Sequence, residues 1–96
     1  MGVTQPARFG EDWSDERVKS YLNREAPNGE NPDFHVLMSA YKHMRAYDFE
    51  RFIGFFLAAG RNLDARGREG HTLLEIARNH SKSGEFVKVL EAAQAH

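Results

Sequence analysis

The sequence contains no cysteine, and this absence excludes several kinds of chemistry at the outset. Disulfide bonds, thiolate nucleophiles, thiolate zinc sites and cysteine-ligated iron–sulfur clusters all depend on that residue. The composition is therefore compatible with a reducing compartment.

Long hydrophobic runs are also missing. The longest mostly apolar stretch, residues 52–59, is far shorter than the roughly 20 residues that a transmembrane helix needs. The N-terminus lacks a basic segment followed by an apolar one, and Pro6 stands where an N-myristoylation motif has serine or threonine. We therefore expect no membrane partner and a cytoplasmic location.

A strong excess of charge of either sign is absent as well. The chain has 13 Lys and Arg against 14 Asp and Glu, and 41% of its 96 residues are hydrophobic. Disordered chains have fewer apolar residues and a larger net charge, so we expect a single folded domain over residues 13–96. Residues 1–12 contain Gly2, Pro6 and Gly10 with little periodicity, which predicts a mobile N-terminal tail.

Apolar residues recur at helical spacing along the rest of the chain, and no segment alternates as a strand would. Ser14, Asn31 and Thr72 are good N-cap residues, and Glu75 completes a capping box with Thr72. Gly60 is placed to end a helix. These patterns predict an all-α fold of about five helices, over about 14–25, 32–44, 48–59 and 72–79, and from Ser81 or Ser83 to about Ala93.

An internal echo connects two of the predicted helices. Leu-Ala-Ala-Gly at residues 57–60 recurs, weakened, as Leu-Glu-Ala-Ala at residues 90–93, and this 33-residue spacing is the ankyrin period. Residues 60–65 are similar to the segment between ankyrin repeats, and residues 70–77 to the turn and helix start of a repeat. About residues 32–93 thus resemble a degenerate ankyrin-repeat stack.

The match departs from the ankyrin pattern at three single positions and at the turn tip, of which residues 66–69 are a loose version. Leu73, Glu75 and Ala93 stand where the family has proline, histidine and glycine. The resemblance implies stacked helix pairs, with the helix at 14–25 as an N-terminal cap. Because so short a stack buries little surface, we expect a monomer or a weak dimer.

The whole chain also resembles a small family of uncharacterised bacterial proteins. The likeness lies in the run Trp-Ser-Asp-Glu-Arg-Val at residues 13–18 and the run Asp-Phe-Glu-Arg-Phe at residues 48–52. This second resemblance provides no function that could be transferred to the chain.

The polar residues form no recognisable catalytic or metal-binding motif. The histidines lack ligand spacing, since His35 and His43 lie eight residues apart and no His-Glu-x-x-His occurs. The serines are not in a Gly-x-Ser-x-Gly turn, and paired acids such as Asp48 and Glu50 suit the start of a helix. We therefore expect no enzyme activity and no cofactor, although a deep pocket that holds a histidine with a carboxylate partner would favour an enzyme.

The remaining function classes involve a macromolecular partner. In ankyrin-like stacks the turn tips and the first helix of each pair face partners, so the resemblance implies a protein–protein interaction module. At matching positions the partner-binding residues would be Arg66, Arg68, Glu69, His71, Arg78 and Asn79.

An alternative follows from the charge distribution. Residues 61–82 contain five basic and three acidic side chains, the highest local basic excess in the chain. Such a segment could contact an RNA or DNA backbone. The alternative function is therefore that of an accessory protein that contacts nucleic acid.

Overall fold

The computed structural model describes residues 13–95, so the predicted tail at 1–12 lies outside the described residues, as does His96. Five α-helices occur in the described part, which confirms the predicted all-α fold, and one 3-10 turn follows the first of them. No helix in this range is long and apolar enough to cross a membrane. The helices are α1 (Asp15–Ser20), α2 (Pro32–His43), α3 (Ala46–Ala58), α4 (Leu73–Arg78) and α5 (Gly84–Gln94), and the 3-10 turn is Tyr21–Asn23.

Three of the helices begin at the predicted capping residues. The Ser14 side chain accepts a hydrogen bond from the third residue of its helix. Asn31 Oδ1 accepts the N–H groups of residues 33 and 34 at 2.8 and 3.2 Å. Thr72 and Glu75 form the predicted capping box, in which each side chain accepts the backbone N–H of the other residue. These contacts satisfy donors that have no partner within the helix.

Two helix boundaries and one capping interaction differ from the sequence prediction. The first helix leaves α geometry after Ser20 instead of near residue 25, because its last turn tightens into the 3-10 form. Helix α3 begins two residues before Asp48, because only two residues separate it from the end of α2. Ser83 is the N-cap residue of α5, but its side chain does not cap the helix and instead contacts the Tyr41 hydroxyl.

Helix α3 lies at the centre of the molecule and contacts α1, α2 and α5, while α4 packs between α2 and α5. The aromatic stripe of α3 is fully buried and consists of Phe49, Phe52 and Phe56. The centroids of successive rings along this stripe are 6.3 and 5.9 Å apart. Leu73 of α4 and Leu90 of α5 join the same apolar cluster. The high aromatic content of the sequence is thus used largely in the core.

A buried carboxylate connects the N-terminal helix to the core. Asp48 is fully buried, and its oxygens accept hydrogen bonds from Arg45 at 2.8 Å and from Arg51 at 3.1 Å. Arg51 also donates to the carbonyl of Trp13 at 2.8 Å and pairs with Asp15. The hydrogen bond that Arg51 donates to Asp15 raises the pKa of Arg51 above its ordinary value. The cluster holds α1 against α3.

Candidate functional site

The connection between α3 and α4 ends in a tight hairpin. Arg66 and Thr72 form an isolated antiparallel bridge, and the Gly67 N–H donates to the His71 carbonyl at 2.9 Å. The Gly70 N–H closes the turn by donating to the Gly67 carbonyl, also at 2.9 Å. Gly70 has a φ of +87°, which only glycine adopts without strain. The turn exposes the side chains of four of the six predicted candidate residues: Arg66, Arg68, Glu69 and His71.

Glu75 of α4 draws two of the candidate residues together at the base of this hairpin. Its Oε1 lies 3.6 Å from Arg66 Nη1 and 3.4 Å from His71 Nδ1. The N–H of Thr72 lowers the pKa of Glu75 below its ordinary value of 4.5, and His71 and Arg66 add to this effect. Arg66 also donates to the Gly70 carbonyl at 2.6 Å. Glu75, which completes the capping box of α4, thereby holds the two sides of the hairpin together.

Arg68 connects the hairpin to a distant loop. Its Nη2 donates to the carbonyl oxygen of Asn28 at 2.6 Å, across 40 residues of sequence. The loop turns there, with a hydrogen bond of 3.1 Å from the Glu30 N–H to the Pro27 carbonyl. The hairpin and the loop are thus held side by side.

Phe34 lies beneath the hairpin. Its ring packs so closely on Gly67 that a Cβ atom at position 67 would lie 2.7 Å from ring carbons Cε2 and Cζ. Phe34 is only 6% exposed, but it lies outside the main apolar cluster of the core. It therefore supports the hairpin and the loop instead of the helix stack.

These contacts enclose an open cleft of about 330 Å³, which we call the tip cleft. Three of its lining side chains are apolar and four carry an ionisable group. Arg68, Glu69 and His71 were predicted as candidate residues, whereas the other lining residues were not. The lining residues are Pro27, Glu30, Phe34, Gly67, Arg68, Glu69, His71 and Ile76.

Some charged side chains around the tip cleft have a partner of opposite charge, and others have none within the described chain. Glu30 lies 3.1 Å from Nδ1 of His35, a contact that is an ion pair only while the imidazole is protonated. Glu69 is exposed and makes no ion pair or hydrogen bond with any residue between 13 and 95. Arg68 donates to a carbonyl, so no carboxylate neutralises its guanidinium within the described chain.

Three of the six candidate residues do not line the tip cleft: Arg66 lies on the side of the hairpin, and Arg78 and Asn79 lie at the end of α4. Arg78 pairs with Glu91 of α5 at 2.9 Å, and Asn79 donates to the backbone carbonyl of Glu75 at 3.3 Å. Neither lines the cleft. Arg78 holds α4 against α5, and Asn79 closes the end of α4, where the last carbonyls of a helix need donors.

A second polar cluster lies between α2 and the start of α5. The Tyr41 hydroxyl is 2.5 Å from Nδ1 of His80 and 2.5 Å from Oγ of Ser83. Ser83 is 8% exposed, and the Tyr41 ring meets Phe86 edge-on. These contacts bind two helices together. Over residues 13–95 no three His, Asp or Glu side chains converge in a way that could hold a metal ion.

No protein-family model, curated protein or solved structure matches the chain. The ankyrin-like and bacterial-family resemblances therefore stay predictions. The properties of the tip cleft are the basis for assigning a function.

Proposed function

We propose that the chain is a noncatalytic protein-interaction module that binds its partner at the tip cleft. The observation that carries the proposal is the combination of an apolar floor, formed by Phe34 and Ile76, with an exposed rim of charged side chains. Protein interfaces have this arrangement, in which a desolvated apolar centre is surrounded by a polar rim. The ankyrin-like resemblance supports the same surface, because turn tips face partners in such stacks.

The chemistry of the lining favours binding over catalysis. His71 has a carboxylate neighbour in Glu75, but 60% of its side chain is exposed in an open cleft. The lining contains no serine, threonine, tyrosine or lysine that the histidine could activate. General acid–base and nucleophilic catalysis both need a reacting group held in a defined position. A histidine that contacts a partner at the rim of an interface needs only to be exposed, as His71 is.

The pairing of the basic residues disfavours the nucleic-acid alternative. Of the five basic side chains in residues 61–82, three have carboxylate partners within the described chain: Arg61 pairs with Asp33 at 2.7 Å, Arg66 with Glu75 and Arg78 with Glu91. Nucleic-acid binding draws its affinity from basic groups that replace the counterions of the phosphates. Groups already paired with acids contribute less to this exchange.

Affinity capture tests the proposal. The tagged chain is incubated with lysate of the source cell, with and without nuclease and at two salt concentrations, and captured proteins are identified by mass spectrometry. We expect a specific protein that is retained after nuclease treatment. Capture that disappears with nuclease, or falls steeply with salt, would instead support the nucleic-acid alternative.

A pair of double variants then tests the surface. Arg66→Glu with Arg68→Glu should weaken capture, because loss of the hydrogen bond from Arg68 to the Asn28 carbonyl frees the hairpin from the loop that forms the other side of the cleft. Lys42→Glu with Lys88→Glu makes the same change of charge at exposed positions outside the cleft and should capture as the wild type does. Circular dichroism verifies that all variants keep their helix content. Equal capture by both double variants would contradict the assignment of this surface.

A further inference from the structure

We propose that the tip cleft accepts a partner segment in which one apolar side chain lies next to a lysine or arginine. The inference rests on the proposed function and specifies the chemistry of the partner. It follows from the size of the cleft, its apolar floor and the balance of charge on its rim.

The size and floor of the cleft set the first requirement. At about 330 Å³ it falls at the lower end of the range of ligand pockets, about 300–1,000 Å³. Phe34, Ile76 and Pro27 come from α2, α4 and the loop before α2, so the apolar surface is concave and shared by three segments. A single apolar side chain of an extended peptide fits such a space and removes its surface from water.

The charge on the rim sets the second requirement. The lining includes two carboxylates, Glu30 and Glu69, against one guanidinium, that of Arg68. Arg68 is already bonded to the Asn28 carbonyl, whereas Glu69 has no partner within residues 13–95. A cation that accompanies the apolar side chain would therefore find an available carboxylate at the rim. An acidic neighbour would instead meet two like charges, which disfavours binding.

A peptide library provides the test. Random heptapeptides displayed on phage are selected against the full chain, and the enriched sequences are compared with those selected by two variants. Glu69→Lys reverses the available charge at an exposed turn position, so the fold should be unaffected. Glu50→Lys makes the same change at an exposed position of α3 that does not line the cleft.

We expect the wild type and Glu50→Lys to enrich peptides with an apolar residue next to lysine or arginine. Glu69→Lys should lose this basic preference and bind the wild-type peptides about tenfold more weakly, since an exposed attraction becomes a repulsion. Ile76→Ala should weaken binding of the same peptides, because it removes part of the apolar floor of the cleft. Enrichment of acidic peptides, or an unchanged preference in Glu69→Lys, would overturn the inference.

Two other outcomes separate this inference from the proposed function. Enriched peptides that lack a basic residue but lose affinity in Ile76→Ala would overturn the assigned chemistry and leave the cleft as a protein-binding site. Failure to enrich any peptide would also overturn the inference. The affinity-capture experiment tests the proposed function independently, because it needs no peptide of assumed chemistry.

Discussion

The ring of Phe34 lies against the backbone of Gly67, so close that a methyl group on Gly67 would be 2.7 Å from two ring carbons. Gly67 has no positive φ, so the requirement for glycine is steric and does not come from backbone conformation. This contact joins the start of α2 to the hairpin, and it determines the shape of the tip cleft.

Gly67→Ala should therefore destabilise the fold by about 1–3 kcal/mol, the usual cost of overpacking a tight contact. Gly54→Ala is the matched control. Gly54 lies within α3, and a Cβ atom there would meet nothing within 4 Å. Alanine is the better helix former, so the control should gain about 0.5–1 kcal/mol. Urea unfolding measures both free energies, and a stable Gly67→Ala variant would show that the ring adjusts freely.

Asp48→Ala should lower the free energy of unfolding by about 2 kcal/mol, because two guanidinium groups lose a fully buried acceptor. The cost stays below that of an isolated buried pair because the side chains of Arg45 and Arg51 are 42% and 24% exposed. Asp15→Ala removes the exposed acid of the same cluster and should cost less than about 1 kcal/mol. Equal losses in thermal or chemical unfolding would show that burial of Asp48 contributes nothing.

Tyr41→Phe should cost about 1 kcal/mol, because Ser83 and His80 lose the hydroxyl that both contact. The aromatic contact with Phe86 remains in this variant, so the loss reports the hydroxyl alone. Tyr47→Phe provides the comparison, since Tyr47 is 58% exposed and should tolerate the change within about 0.5 kcal/mol. Chemical unfolding of the two variants distinguishes them. Indistinguishable stabilities would contradict a structural role for the Tyr41 cluster.

Glu75→Gln should reduce the dependence of stability on pH. The hydrogen bond from the Thr72 N–H keeps the pKa of Glu75 below its ordinary value of 4.5 in the folded chain. A depressed pKa means that the ionised carboxylate stabilises the fold fully above that ordinary value, and that this contribution is lost as pH falls through the lower folded value. Glutamine can still act in the capping box but does not titrate.

The free energy of unfolding is therefore measured for wild type and Glu75→Gln between about pH 5 and pH 3. The variant should lose less stability than the wild type over this interval. Glu50→Gln is the control at an exposed position of α3 and should follow the wild type. Parallel curves for Glu75→Gln and wild type would contradict the contribution of Glu75.

The fold could be predicted as far as local chemistry determines it. Ser14, Asn31 and Thr72 cap helices as their residue types indicate, because a cap depends only on neighbours within three residues. The 33-residue repeat did not predict which residues are buried. Leu57 and Leu90 occupy equivalent positions of the repeat, but Leu57 is 39% exposed and Leu90 is 1% exposed. Burial depends on which helices meet, and sequence spacing alone does not contain that information.

The candidate site was predictable only in its hairpin. The ankyrin-like resemblance predicts Arg68, Glu69 and His71 at the turn, whereas Phe34 belongs to an apolar stripe whose periodicity predicts core packing. Its proximity to Gly67 spans 33 residues of chain and arises from tertiary packing. The sequence does contain a signal for the Asp48 cluster, since Arg45 and Arg51 flank Asp48 at three residues on either side, the spacing of neighbours on one helix face.

The most direct test of the central claim is a nuclear magnetic resonance titration of the isotope-labelled chain with the captured partner protein. Binding at the tip cleft predicts that the largest backbone amide shifts occur in residues 27–34 and 66–76. Outside the cleft, the exposed large hydrophobic residues of the described chain are Tyr47 and Leu57. Shifts concentrated around those two residues, with none at the hairpin, would contradict the account.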